Sequence, residues 1–235
     1  MEHDEQHPPT TAKVAAFRRL HEAGIFVMPN PWDLGSAVTL ERMGFPALAT
    51  TSAGFAWSMG LPDAEVALED ALAHLRAIAG AVAVPVNADF QGGFAVEPDG
   101  VRTNVLAAAA TGVAGLSIED STGDPAQPLH EATLAIDRIA AARAAIDESG
   151  TGVVLTARSE GFVVGRPDLD ETIRRLRAYA DAGADCLYAP RISVGGTLAR
   201  AAWGGWLGVA DEIATAGTFG GFQRLPDVEG MLRAE

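Results

Sequence analysis

Three short apolar runs in this 235-residue chain end in charge. Ala114-Gly115-Leu116-Ser117-Ile118-Glu119-Asp120 ends in two carboxylates, and Val84-Pro85-Val86-Asn87-Ala88-Asp89 ends in one. Val153-Val154-Leu155-Thr156-Ala157-Arg158 ends in a guanidinium, with Glu160 two residues on. Apolar runs of this length after a turn read as strands buried on both faces, as in parallel sheets. Acids at the carboxyl ends of such strands are costly inside a core, but at the C-terminal rim of a β/α barrel they face the mouth where chemistry is done. Their repeated placement assigns Asp89 and Glu119 to a cation, with helix N-terminal capping as the competing role. Arg158 reads as a clamp for a substrate carboxylate, with an ion pair to Glu160 as the alternative. Asp120 fits two roles equally, ordering its loop or pairing with Arg158. His130 reads as an exposed histidine at a helix start, and as a proton donor only secondarily.

The elements that position these groups repeat. Helical spacing marks residues 11–23, 33–42, 64–79, 98–110, 129–148 and 168–182, and strands fall at 25–28, 47–51, 84–89, 114–120, 153–158 and 186–189. Gly24, Gly44, Gly112, Gly150 and Gly183 each separate a helical pattern from the next strand. That order predicts an α/β protein with a TIM-type (β/α) barrel. Residues 1–10 form a flexible N-terminal tail, and 11–235 a single barrel domain with C-terminal helices. The count then falls short. Only 45 residues follow Pro190, whereas two more β/α units need about 60. The barrel is therefore expected to lack one β/α unit near the C-terminus, unless Ile192-Ser193-Val194-Gly195-Gly196 pairs as a strand in an unusual way. Residues 197–216, with Trp203 and Trp206, read as an apolar helix, and 226–233 as a short one.

Composition excludes several classes. A formal charge of −14 offers no broad basic face for nucleic acid or anionic membranes. The single cysteine, Cys186, excludes an internal disulfide and reads as a buried structural thiol. No apolar run approaches the ~20 residues of a membrane span, and the N-terminus lacks a signal-peptide pattern. A soluble, cytoplasmic protein is expected.

Several segments together resemble the isocitrate lyase/phosphoenolpyruvate mutase superfamily. They are Pro29-Asn30-Pro31-Trp32-Asp33 with Ser36-Ala37, Thr51-Ser52-Ala53-Gly54, Leu61-Pro62-Asp63, Asn87-Ala88-Asp89-Phe90-Gln91-Gly92-Gly93, Gly115 to Asp120, and Thr156-Ala157-Arg158-Ser159-Glu160. The resemblance implies a (β/α)8 barrel that binds Mg²⁺ (Mn²⁺ as an alternative) and a small 2-oxo acid, and makes or breaks a C–C or P–C bond beside the oxo group. It implies that Asp89, Glu119 and Asp63 hold the ion directly or through water. Ser52, Ala53 and Gly54 would offer a hydroxyl and backbone N–H groups to the substrate carboxylate, with Asn87 and Trp32 in the pocket wall. Arg158 would face a carboxylate or the developing enolate. A hard, oxygen-seeking ion that keeps several waters is consistent with so few carboxylates.

Three departures shape the expectation. The loop Ser121 to His130 lacks the Lys-x-Cys-Gly-His motif that supplies the acid/base cysteine of many lyases in the family, so an isocitrate- or methylisocitrate-type lyase is disfavoured. Asn87 replaces an acid. The shortened barrel is the third. The expected function is an Mg²⁺-dependent lyase or hydrolase of a small 2-oxo acid, working through an enolate with Glu119, Asp63 and Arg158 as catalytic groups. The alternatives are an inactive oxo-acid-binding or assembly protein on the same scaffold, and a 2-oxo-acid hydroxymethyl transferase. A homo-oligomer formed through the C-terminal helices is the expected partner state.

Overall fold

The computed structural model describes residues 7–192 in full, and the backbone of Trp206–Val209 and Gly220–Arg224. Alternation within the strands decides which residues face the barrel interior. In β3 (Val86–Asp89), β4 (Gly115–Glu119) and β5 (Val154–Arg158), one set is Asn87/Asp89, Ser117/Glu119 and Thr156/Arg158. These line a common cavity or meet in one ion-pair cluster. The intervening Ala88, Leu116, Ile118, Leu155 and Ala157 are fully buried in the main apolar core. The strands are thus buried on both faces, but the inner face is polar. The inter-strand register puts Glu119 opposite Arg158 and Asp89 opposite Ser117, two residues before Glu119, so the charged ends lie at the same end of the sheet on successive levels.

The remaining elements complete a β/α order: α1 (Thr10–Leu20), β1 (Ile25–Met28), α2 (Leu34–Arg42), β2 (Leu48–Ala49), α3 (Ser52–Ser58) and α4 (Leu68–Ala81) precede β3. Then α5 (Pro98–Ala109), α6 (Ala132–Ser149) and α7 (Leu169–Asp181) alternate with β4, β5 and β6 (Cys186–Tyr188). Trp206–Val209 is β7 and Gly220–Arg224 is β8. The single sheet has the order β1-β8-β7-β6-β5-β4-β3-β2. Neighbours from β2 to β7 are parallel, and β8 is antiparallel to both β7 and β1, so β1 runs with the rest. At the seam between the sheet's two ends, the Ala49 N–H donates to the Pro29 carbonyl (3.2 Å) and Asn30 Nδ2 donates to the Ala49 carbonyl (2.9 Å). The sheet is therefore TIM-barrel-like.

The last strand departs from the β/α order. A parallel neighbour needs a crossover of about a dozen residues or more, whereas an antiparallel one does not. The eighth strand takes the antiparallel route, with Trp206 opposite Arg224 and Val209 opposite Gly221. Two expectations are corrected. Trp206 lies on a strand, not on an apolar helix, because β6 needs a hydrogen-bonded neighbour and Cys186 pairs with Trp206. Ile192 is not in a strand. Ser193 to Gly196, Trp203 and the short helix at 226–233 lie outside the described residues. The Thr51-Ser52-Ala53-Gly54 segment, with Thr51 expected at a strand end, opens α3: Thr51 is its N-cap, accepting the Gly54 N–H at 3.2 Å.

Gly115 shows how closely helix and strand approach at the base of β4. A Cβ there would lie 2.5 Å from both the Phe17 ring of α1 and Asn87 Oδ1. Phe17 is 1% exposed, and burying it contributes about 2–3 kcal/mol. No helix among the described residues is long and apolar enough to cross a membrane.

Candidate active site

Arg158, the last residue of β5, meets three carboxylates. Its Nη1 is 2.7 Å from Asp89 Oδ1, its Nε 2.9 Å from Glu160 Oε1, and its Nη2 3.3 Å from Glu119 Oε2. The guanidinium also lies 5.5 Å from the centre of the Tyr188 ring of β6, a cation–π distance. Four adjacent strands therefore converge on one point, which is what strand ends at a barrel rim do.

Each acid is held from behind. Asp89 Oδ2 accepts the Ser52 N–H (2.9 Å), and the Asp89 N–H donates to Thr50 Oγ1 (2.9 Å). Glu119 Oε1 accepts from the Ser121 hydroxyl (2.6 Å), and the Glu119 N–H donates to the Gln91 carbonyl (3.0 Å). The Glu160 N–H donates to Asp120 Oδ1 (2.8 Å). Asp120, 3% exposed, accepts further from Tyr179 (2.7 Å) and pairs with Arg175 (3.3 Å) through Oδ2. Of its two open roles, Asp120 therefore takes the ordering one.

One guanidinium does not balance this negative charge. Burial pushes the Glu119 carboxyl up to about 7; Arg158 pulls it down, while Glu160 and Asp89 push it further up. Glu160 is raised by burial against the same pull from Arg158. Burial works against the Arg158 charge, but Glu160, Glu119 and Asp89 outweigh it and hold the guanidinium protonated. Asp63 is raised too, by burial and by the Asp89 charge, with the Ser52 hydroxyl opposing. The cluster would therefore accept another cation or take up a proton.

Next to it lies a cavity of about 110 Å³, lined by Asn30, Thr51, Asn87, Asp89, Arg158 and Tyr188 among others. Asn87 Oδ1 is buried there without a hydrogen-bond partner, a polar atom that a bound ligand could satisfy. A larger cavity, about 970 Å³, opens outside the cluster between the loops after β4 and β5, lined by His130, Ser159, Arg166 and Arg175 among others. It contains none of the Arg158-linked acids, so the candidate chemistry belongs to the smaller space.

The structure brings Asp89, Glu119, Arg158 and Asn87 together. It does not gather Asp63 with Asp89 and Glu119 round one ion: among the described residues no three His, Cys, Asp or Glu side chains are so grouped. The reason is geometric. Arg158 stands between Asp89 and Glu119, and Asp63 lies on an exposed 3-10 turn, Asp63–Glu65, bonded through its carbonyl to Gln91 Nε2 (3.2 Å). Of the Ser52-Ala53-Gly54 set, two N–H groups are engaged within the protein, Ser52 by Asp89 and Gly54 by Thr51. Trp32 stacks edge-on against Trp57 (5.7 Å) and covers Gly54, where a Cβ would meet the indole at 2.4 Å. It braces α3 and is not among the residues lining the central cavity. His130 is buried, not exposed: its N–H and carbonyl bond Asp120 and Arg175, and burial lowers its pKa. Cys186 is buried, and burial raises its thiol pKa. Thr50, Gln91 and Tyr188 also serve the site, in roles that the sequence does not single out; the alternation polar-x-charged, as in Asn87-x-Asp89, is the signal that marks the inner face.

The phosphoenolpyruvate phosphomutase family profile matches residues 17–203. The chain belongs to this family. Within its superfamily, an uncharacterized protein of Mycobacterium tuberculosis is 36% identical over 177 residues, covering 74% of this chain and 65% of its own length. The 2-methylisocitrate lyase of Escherichia coli is 32% identical over 166 residues, 67% of this chain and 54% of that one. The chain thus spans between about half and two thirds of these relatives. Among solved structures, a Burkholderia cenocepacia protein provisionally called a lyase/mutase superposes with a TM-score of 0.84 at 40% identity, over 94% of this chain and 78% of that one. Phosphonopyruvate hydrolase, in complex with oxalate and Mg²⁺, gives 0.72 at 27%, over 86% and 71%. Oxaloacetate acetylhydrolase with its product oxalate gives 0.72 at 30%, over 82% and 68%. The superfamily includes lyases, mutases and hydrolases that act on oxo acids.

Proposed function

We propose that the chain is a lyase or hydrolase that cleaves a C–C or P–C bond next to the oxo group of a small 2-oxo acid. The observation that carries this reading is Arg158, fixed among Asp89, Glu119 and Glu160 beside the cavity of about 110 Å³. That space equals about four water volumes, so it suits an acid of pyruvate or oxalate size and leaves larger parts of a substrate outside.

The donor set fits a divalent ion. It is all oxygen, two carboxylates from adjacent strands face one cation, and the cluster carries more acids than Arg158 balances. Mg²⁺ is held by one or two carboxylates plus substrate oxygens and waters, so Asp89 and Glu119 would hold it, with Asp63 reaching it only through water. When bound, the ion would polarise the oxo group as a Lewis acid. Arg158 faces the negative charge that develops on the oxo oxygen as the adjacent bond breaks, and a fixed guanidinium in a partly dry site acts there without reorganising. Asn87 Oδ1, unpartnered and buried, orients a hydroxyl or a water. The Ser52 N–H keeps Asp89 turned toward the interior.

The test is turnover followed by NMR with oxaloacetate, phosphonopyruvate, pyruvate and 2-oxoglutarate in the presence of Mg²⁺. Hydrolysis of oxaloacetate consumes one water and yields oxalate and acetate, and hydrolysis of phosphonopyruvate yields pyruvate and phosphate. Expected is turnover of at least one acid, reduced at least 10²-fold in Asp89→Asn with the fold retained, on the scale of losing one electrostatic partner of a transition state. Turnover unchanged by Asp89→Asn contradicts the proposal.

A further inference from the structure

Arg138 of α6 is 1% exposed, among the most buried large side chains in the molecule. A buried guanidinium is costly unless its donors are satisfied. This one gives its hydrogen bonds to carbonyls of a single loop between β3 and α5. Nη1 donates to Ala95 O (2.6 Å) and Val96 O (2.8 Å), and Nη2 donates to Gly92 O. Asn104 of α5 holds the same loop, donating to Gly93 O (2.9 Å) and Phe94 O (3.3 Å).

The loop needs holding. Gln91 (φ 47°) and Phe94 (φ 54°) both adopt left-handed backbone conformations without being glycine, and each such residue costs on the order of 1 kcal/mol, retained only where the surroundings impose it. The first of the two carries the connections that matter for the site. The Gln91 carbonyl accepts the Glu119 N–H at 3.0 Å. The Gln91 side-chain amide donates to the Asp63 carbonyl (3.2 Å) and carboxylate (3.4 Å). A single strained residue therefore anchors both an Arg158-linked acid and the acid on the rim, and its conformation depends on a loop pinned by Arg138.

We propose that Arg138 is a positioning residue for the acid cluster: by fixing the carbonyls of residues 92–96 it sets Gln91, and through Gln91 the placement of Glu119 and Asp63. The metal-binding part of this inference rests on the function proposed above; the tether itself does not. Arg138 touches neither the central cavity nor any Arg158-linked carboxylate, so its role is distinct from that of the residues which would hold substrate or ion.

The test uses the full chain with Arg138→Met and Arg138→Lys. Met removes every donor, and Lys keeps the charge and the stem with a single ammonium that can reach fewer of the carbonyls. Two readouts are taken: amide hydrogen exchange at Glu119, and the affinity for Mn²⁺ alone measured by electron paramagnetic resonance. Expected in Arg138→Met are at least tenfold faster exchange at Glu119 and about tenfold weaker Mn²⁺ binding, with Arg138→Lys between Met and the parent. Variants that unfold cooperatively and lose only thermal stability, with parental Glu119 exchange and parental Mn²⁺ affinity, would make Arg138 merely structural and overturn the proposal. If Arg138→Met does not fold, the Lys variant decides on the same two readouts. A parent that binds no Mn²⁺ would sink the metal reading, and Glu119 exchange would still decide the tether: faster in the variants supports it, unchanged refutes it.

Discussion

Arg158 and His21 show opposite outcomes of burying a basic side chain. Arg158 meets three carboxylates and stays charged. His21, 2% exposed, packs edge-on between Phe17 (4.5 Å) and Phe26 (5.0 Å) and shares a 2.7 Å hydrogen bond with the Phe17 carbonyl through Nδ1. Burial dominates there and lowers its pKa to about 4; the Phe17 carbonyl and Asp185 oppose, and Arg18 adds to the lowering. The unfolded chain takes up this proton near pH 6.5, whereas the folded one does so only near pH 4. Stability is therefore full above about pH 6.5 and is lost as pH falls toward 4, by about 3 kcal/mol from this group. Urea unfolding at pH 7 and pH 4.5 checks it: His21→Gln should lose less stability between the two than the parent does, by about 2 kcal/mol. Equal losses would refute the assignment. At this scale the sequence was legible where charge interrupts an apolar run, at Asp89, Glu119 and Arg158. It was not legible at His130, because the groups that bury it include Arg175, far away in the chain.

Elements owe their ends to partners that lie elsewhere. The helix α4 stops at Ala81 without a glycine cap, and its carbonyls are met by Lys13 of α1, whose Nζ donates to Ala79 O (2.7 Å) and Val82 O (2.6 Å). Lys13 is 4% exposed, and burial lowers its pKa. Replacing it by Met leaves two buried carbonyls unsatisfied, at a cost of about 2 kcal/mol, so Lys13→Met should lower the melting temperature by about 5 °C. An unchanged melting temperature would mean that water replaces the ammonium. Such a cap could not be read from a local pattern, since the two segments are 66 residues apart. The helix-to-strand punctuation could. Gly112 (φ 95°) and Gly183 (φ 104°) hold left-handed turns that a side chain resists. The helix that Thr51 caps is not legible in the sequence, because its seven residues are too few for periodicity to reveal.

Across the whole molecule, eight strands share one sheet, and β8 returns antiparallel between β7 and β1. The repeated β/α order was legible in the sequence, but the reversed strand was not, because its pairing with β1 and β7 is made at long range. Parallel strands β2 to β6 still bring Asp89, Glu119, Arg158 and Tyr188 to one rim, so the reversed strand lies away from the Arg158 cluster. The most direct measurement is thermal unfolding of the purified protein with pyruvate, oxaloacetate, 2-oxoglutarate or phosphonopyruvate, each with Mg²⁺ and with EDTA. A ligand held only by the folded state at a hundred times its dissociation constant adds about 2.7 kcal/mol, or a rise of roughly 5–10 °C for a domain of this size. Expected is such a rise for at least one acid, present with Mg²⁺ and abolished by EDTA. Cooperative unfolding at one temperature under every condition would contradict an oxo-acid and metal site at Asp89, Glu119 and Arg158.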